Sequence, residues 1–151
     1  MPTVEFKITG LDKLANKLRG AEAQLRVEIG KTLYQFGEEV MTASKLVVPV
    51  LTGTLMNTGH VDLPADSGAM ITVTLGYGGP AAPYALYVHE EMQGAVPPSP
   101  NWSWTKAVAA GKQIQWTRPG SGPKYLEGPL HEMQDQLPGR IRDAVKRALK
   151  P

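Results

Sequence analysis

The residues that could take part in catalysis or metal binding are few and widely separated along the chain. Each of the three histidines lies next to or close to an acidic residue, as in His60 with Asp62 and His89 with Glu90. None has the His-Glu-x-x-His spacing that places two imidazoles on one helical face. The chain contains no cysteine, which excludes disulfides, thiolate metal sites and a cysteine nucleophile. We therefore expect no metal site, and expect the histidines to be structural or surface residues.

Other catalytic patterns are also incomplete. The sequence Gly120-Ser121-Gly122 lacks the strand and helix that flank a nucleophilic serine in an esterase elbow. The pairs Glu38-Glu39 and Glu90-Glu91 are adjacent residues, whose side chains diverge on a helix or a strand. The glycines of 76–79 are not followed by Gly-Lys-Ser/Thr or by a helix start. The sequence predicts neither an enzyme nor a bound cofactor.

Charge is concentrated in two regions, although the net charge is only +2. Residues 93–124 carry no acidic side chain and hold every tryptophan, at Trp102, Trp104 and Trp116, together with Lys106, Lys112 and Arg118. Tryptophan with basic residues can stack on bases and neutralise phosphates, or can anchor a protein interface. The basic side chains of the C-terminal region suit either a solvated helix face or contact with phosphates; they include Arg140, Arg142, Lys146 and Arg147.

Hydrophobic spacing predicts the helices. Residues 4–8 alternate apolar and polar side chains, which predicts a strand. A short helix is expected over 11–19, ending at Gly20, and a long helix over 21–48. The long helix has one apolar face at spacings of three and four, expected to lie in the core; it contains Leu25, Ile29, Leu33, Phe36 and Val40.

A second line on the long helix repeats every seven residues and consists of Val27, Tyr34, Met41 and Val48. We leave two interpretations open, burial within one subunit and contact with a neighbouring subunit. Between the two faces lie Gly30, Gly37 and Ser44, again seven residues apart. Since glycine inside a helix costs about 1 kcal/mol relative to alanine, this line predicts close packing of another element.

The remaining chain predicts a hairpin and a second helical region. Residues 58–63 and 69–76 are strand-like and are joined by a turn over 64–68. Residues 84–90 suit a third strand or a short helix. Residues 126–149 predict a helix that Pro138-Gly139 should kink or split. We expect one α+β domain over 1–151, with both helices on a small antiparallel sheet and an extended loop or projecting arm over 93–124.

Three local patterns, in this order, resemble one known family. The first follows the long helix and runs over 46–55, with Pro49, Thr52 and Gly53. The second runs over 84–90, with Tyr84, Tyr87, His89 and Glu90. The third, at 122–127, contains Tyr125 and Leu126. The chain is similar to neck or tail-completion proteins of long-tailed bacteriophages, also described as minor tail components or head–tail joining proteins. It departs from that family at Leu51, where members usually have aspartate, and at Tyr125, where phenylalanine is common.

The resemblance implies a structural virion protein without catalytic activity. Such proteins form six-fold or twelve-fold homo-oligomeric rings at the head–tail junction, after assembly in the host cytoplasm. Their partners are head-closure or connector proteins and tail-terminator or tail-tube proteins, and they meet DNA only as it passes through the channel. A membrane partner is not expected, because no apolar run approaches the length of a span. The alternative is a small nucleic-acid-binding protein that uses the basic, tryptophan-rich segment.

Overall fold

The computed structural model describes residues 11–50, 53–90, 118 and 120–150, with the side chains of 11–18 and 87 excepted. The helices are α1 (Leu11–Val47), α2 (Thr54–Asn57), α3 (Ala85–Glu90), α4 (Glu127–Met133) and α5 (Leu137–Ala148). The strands are β1 (His60–Val61), β2 (Ala65–Asp66), β3 (Ile71–Thr72) and β4 (Leu75–Gly76). The α+β prediction is confirmed. The strand predicted over 4–8 and most of the segment 93–124 lie outside the described residues.

Helix α1 is continuous for 37 residues. The predicted break at Gly20 is wrong, because the helix runs straight through this exposed position. A single helical glycine costs only about 1 kcal/mol, which a long helix tolerates without ending. The two predicted helices are therefore one, over Leu11–Val47.

The strands form one interrupted antiparallel ribbon. His60 pairs with Gly76 and Val61 with Leu75, whereas Ala65 pairs with Thr72. The register therefore shifts by one residue in between, so the first strand carries one extra residue around Pro64, as in a β-bulge. The predicted hairpin is present, but its turn lies at 67–70 rather than 64–68, closed by Ser67 N–H donating to the Met70 carbonyl. An Asp66 carboxylate oxygen accepts from the Gly68 N–H, which favours the turn at this position.

The ribbon packs on the glycine line of α1, as predicted. A Cβ added to Gly30 would lie 3.3 Å from Pro64 Cβ, and one added to Gly37 would lie 3.1 Å from Val61 Cγ1. Further along the same line, Ser44 is fully buried and its hydroxyl lies 2.9 Å from the Tyr77 hydroxyl. The absence of side chains at the two glycines lets the ribbon approach the helix backbone closely.

Helix α5 packs along the opposite side of α1. Arg140 donates two hydrogen bonds to Glu39, at 2.7 and 2.6 Å, and its guanidinium carbon lies 5.6 Å from the centroid of the Phe36 ring. Arg147 Nε lies 3.7 Å from a carboxylate oxygen of Glu28. The predicted C-terminal helix is split, as expected, but by a 3₁₀ turn at Gln134–Gln136. Proline then occupies the first turn of α5, where its missing N–H costs nothing.

The predicted apolar face of α1 is buried only along part of its length. Phe36 and Val40 are buried, whereas Leu25, Ile29 and Leu33 are half-buried. The second line divides in the same way. Met41 and Val48 are buried within the subunit, Tyr34 is half-buried and Val27 is 54% exposed. The C-terminal half of α1 thus carries the core.

Candidate functional site

The three motif segments meet in a single hydrophobic cluster, called here the motif core. It contains residues from each segment or its immediate flank, namely Val48, Leu55, Ala82, Ala85, Val88 and Tyr125. Half-buried side chains pack against it, including Tyr84 and Leu126 of the predicted motif residues. Segments that are distant in sequence therefore form one packed unit at the C-terminal end of α1.

Backbone hydrogen bonds tie the third segment to the other two. Gly122 donates its N–H to the Val47 carbonyl at 3.1 Å, and Lys124 donates to the His89 carbonyl at 2.8 Å. Lys124 has φ of 57°, in the left-handed region that non-glycine residues rarely adopt. The contacts on both sides hold this conformation, so residues 122–125 act as a connection between α1 and α3.

Arg118 caps the C-terminus of α1. Its Nη2 lies 2.6 Å from the Lys45 carbonyl and 3.2 Å from the Val48 carbonyl. These carbonyls belong to the last turn, whose acceptors lack helical partners and carry partial negative charge. The sequence predicted that Arg118 serves a DNA channel or a partner; the structure places its guanidinium inside the subunit.

A network of charged groups lies beside the motif core. Lys124 Nζ is 2.5 Å from one oxygen of Glu90 and 3.0 Å from an oxygen of Glu127, while His89 Nδ1 is 2.7 Å from the other oxygen of Glu90. The hydrogen bonds of Lys124 and then of His89 lower the pKa of Glu90. Lys124 also lowers the pKa of Glu127, and the two carboxylates raise the pKa of Lys124. Glu90, Glu127 and Lys124 therefore favour their charged forms in the folded protein.

The same network brings together His89, Glu90 and Glu127, with potential ligand atoms within 4.8 Å of one another. The donor types would suit a divalent cation. However, the Lys124 ammonium group already pairs with both carboxylates, so a metal ion would have to displace it.

The buried Nε2 of His89 has no hydrogen-bond partner among the described residues. Its ring lies edge-on to Tyr125, with centroids 4.9 Å apart, which fixes the imidazole against the core.

Three tyrosines lie in or beside the motif core: Tyr125 belongs to it, and Tyr77 and Tyr84 pack against it. Tyr125 is 2% exposed and donates a 2.8 Å hydrogen bond to the Ala85 carbonyl. Its ring lies edge-on to Tyr77, at a centroid distance of 5.0 Å. Burial raises the pKa of Tyr125, Tyr77 and Tyr84. These phenols therefore stay protonated at neutral pH.

The other predicted motif residues take structural positions where they are described. Gly53 has φ of 83° and precedes α2, a conformation that favours glycine. Pro49 is half-buried just after α1. Thr52 and the side chain of Tyr87 lie outside what the structure describes.

The predicted contact and charge residues that the structure describes do not form one surface. Met41 is buried and Tyr34 is half-buried, with Glu38 raising the pKa of its phenol through a hydrogen bond. Arg140 and Arg147 bridge to α1, whereas Arg142 and Lys146 are exposed on α5. Two groups predicted to face a partner or DNA therefore join helices instead. Trp102, Trp104, Trp116, Lys106 and Lys112 lie outside the described residues.

Two arrangements in the structure were not predicted from the sequence, the Arg118 cap and the pairing of Lys124 with Glu90 and Glu127. The cap joins residues 73 positions apart, so no local pattern indicates it. The helical i,i+3 rule does not indicate the pair of Lys124 and Glu127 either, because Lys124 lies before α4 in a left-handed conformation.

Comparisons with protein-family models, curated proteins and solved structures gave no match to this chain. None of the described helices combines the length and the hydrophobicity that crossing a membrane requires.

Proposed function

We propose that the protein is a structural subunit of the head–tail junction of a long-tailed bacteriophage. In this proposal it forms a homo-oligomeric ring around the DNA channel and joins head-side to tail-side components. It has no catalytic role, and DNA touches the ring only in passage. Its place is the virion, reached by assembly in the host cytoplasm.

The convergence of the three motif segments carries this proposal. Each pattern alone is short, and a resemblance that extends over the domain requires the three segments to lie together in the fold. Val48, Ala85 and Tyr125, one from each segment, share a single buried cluster. The convergence supports the resemblance as a property of the whole domain rather than of isolated peptides.

Exposed apolar side chains support assembly with other subunits. Leu46 and Leu86 are 68% and 60% exposed beside the motif core, and Val27 is 54% exposed further along α1. A closed ring needs two different surfaces on each subunit, since each copy contacts its two neighbours through different patches. These positions lie at separate places on the subunit, one at the C-terminal end of α1 and one in its N-terminal half.

The internal use of charge argues against the nucleic-acid-binding alternative. Arg118 and Lys124, two of the four basic residues in the segment 93–124, contact carbonyls or carboxylates of the same chain. Arg140 and Arg147 pair with α1. The phosphate contacts available to the described residues are correspondingly fewer than the sequence indicates.

Imaging of the purified full-length protein by negative-stain electron microscopy tests the proposal. We expect closed rings with a central opening wide enough for duplex DNA. Monomers or small compact oligomers at every concentration would contradict it.

Binding to a generic DNA duplex separates the two functions. Affinity for a true phosphate binder falls steeply with salt, because contacts with phosphates release counterions. We expect at most weak binding by the isolated subunit. Tight binding that weakens steeply with added salt, without ring formation, would favour the alternative.

A further inference from the structure

The outer edge of β3 and β4 is an open pairing surface. Asp62 donates its N–H to the Thr74 carbonyl at 2.8 Å, so Thr74 faces the inner ladder of the ribbon. Backbone groups alternate in direction along a strand, so Val73 and Leu75 direct theirs to the outer edge. Among the described residues no third strand pairs with either edge of the ribbon.

This edge suits strand addition better than the other edge of the ribbon. Pro64 interrupts the first strand, and proline has no N–H to donate to a new strand. The span 71–75 contains no proline and alternates in pattern. Ile71, Val73 and Leu75 contact the glycine line of α1, while Thr72 and Thr74 are exposed.

The segment Val4–Ile8 has the matching pattern. It reads apolar-polar-apolar-polar-apolar over five residues, as does Ile71–Leu75. As an added strand, it would place Val4, Phe6 and Ile8 on the apolar side of the sheet. Glu5 and Lys7 would then lie on the outer side, beside the exposed threonines.

The geometry of α1 prevents this segment from reaching its own ribbon. Ile71 lies at the level of Gly30 and Val73 at the level of Gly37. From Leu11 these levels are about 28 Å and 39 Å along the helix axis, at 1.5 Å per residue. Val4 is seven residues before Leu11, and seven extended residues span at most about 25 Å. Pairing along 71–75 therefore requires the ribbon of another copy.

We propose that Val4–Ile8 of one copy adds as a third strand to the Ile71–Leu75 edge of a neighbouring copy. The proposal deepens the proposed function by naming one subunit contact, and it rests on self-association. Because the strand of each copy joins the ribbon of the next, the contact is heterologous and can propagate around a ring.

The absence of cysteine from the chain allows a clean cross-linking test. Two full-length single variants are mixed and oxidised. One carries Lys7→Cys and the other carries Thr72→Cys or Thr74→Cys, since a neighbouring pair is expected in either strand direction. Adjacent strands hold paired residues within disulfide distance. We expect a disulfide between the two variants, and none when the partner carries Thr42→Cys, an exposed position on α1.

A second substitution tests the apolar side of the added strand. Adding Phe6→Asp to the Lys7→Cys chain should lower the cross-link yield by about tenfold or more, because a buried phenylalanine is replaced by a charge. A yield unchanged by Phe6→Asp would overturn the proposal. So would a Lys7→Cys, Thr72→Cys double variant that closes its disulfide within one chain.

The outcomes separate this proposal from the proposed function. Rings without cross-linking at either threonine would overturn strand addition and leave the ring intact. Cross-linked open chains, without closed rings, would support strand addition and contradict the ring. A monomeric protein without cross-links would contradict both.

Discussion

The hydroxyl of Tyr125 donates a 2.8 Å hydrogen bond to the backbone carbonyl of Ala85, forty residues earlier in the chain. Both residues are buried, at 2% and 7% exposure. The bond joins the second motif segment to the third inside the motif core. A buried hydroxyl without a partner is costly, so this contact favours the observed relative position of the two segments.

Replacing Tyr125 with phenylalanine tests this contact. Tyr125→Phe keeps the ring but removes this buried hydrogen bond, which should lower the free energy of unfolding by about 0.5–1.5 kcal/mol. Chemical denaturation measures the change. Tyr34→Phe, at a half-exposed position, should change stability by no more than about 0.5 kcal/mol. Equal effects of the two substitutions would contradict the role given to Tyr125.

Because the ribbon lies close to α1 at Gly37 but not at Gly20, a large side chain should be tolerated at Gly20 and should destabilise the fold at Gly37. Gly37→Leu must displace Val61, Val73 or Leu75, and overpacking of this kind costs about 1–3 kcal/mol. A Cβ added to Gly20 meets no described atom within 4 Å, so Gly20→Leu should stabilise the helix by several tenths of a kcal/mol. Thermal melts of the two variants compare them directly. A Gly37→Leu protein as stable as Gly20→Leu would show that the ribbon is not seated on this line.

The cap on α1 predicts a cost for removing Arg118 that the exposed Arg142 does not share. Arg118→Ala removes two charge-assisted hydrogen bonds to the end of α1. Hydrogen bonds to charged groups contribute about 1.5–3 kcal/mol, so the free energy of unfolding should fall by an amount in that range. Arg142 is exposed on α5 and serves as the matched control, with an expected change within about 0.5 kcal/mol. If the two variants unfold at the same denaturant concentration, the cap does not stabilise the fold.

The charged network predicts a pH dependence on the acid side. The pKa of Glu90 and the pKa of Glu127 are lowered in the folded state, chiefly by Lys124. Their contribution to stability is therefore complete above the ordinary glutamate pKa of about 4.3, and is lost as the pH falls through the lowered values. Lys124→Gln should flatten the decline in stability below about pH 4.5.

The matched control for that measurement is Lys146→Gln. Lys146 is exposed, and its ammonium nitrogen makes only a long contact, 4.0 Å, with a carboxylate oxygen of Asp143. Denaturation at pH 7 and at several lower pH values gives the slope for each variant. A slope that Lys124→Gln leaves unchanged would show that the network does not link folding to protons.

Local patterns predicted the elements that depend on local physics. The glycine line of α1 predicted close packing of another element, and the structure shows that this element is the ribbon. The alternation of Ile71, Val73 and Leu75 is typical of a half-buried strand, and these three side chains face α1. The break at Gly20 was wrong, because a weak helix former does not end a long helix.

Contacts between distant residues were beyond the sequence. In the sequence, Arg118 and Arg140 are indistinguishable from free positive charges. Only the fold shows that Arg118 donates to the backbone carbonyl of Lys45 and that Arg140 pairs with Glu39. The turn of the ribbon lies at 67–70 rather than at the predicted 64–68, where the Asp66 carboxylate accepts a hydrogen bond from the Gly68 N–H. Several turn-forming residues nearby make more than one turn position compatible with the sequence. Charge assigned by composition alone therefore overstates the charge available to partners.

Native mass spectrometry of the full-length protein tests the central claim most directly. A ring predicts a closed assembly of six or twelve copies of the 16.3 kDa chain, with few open intermediates. The assembly should persist on dilution, because opening a closed ring breaks two contacts for the first subunit lost. A mass distribution of monomers, or a continuous ladder without a preferred closed number, would contradict the account.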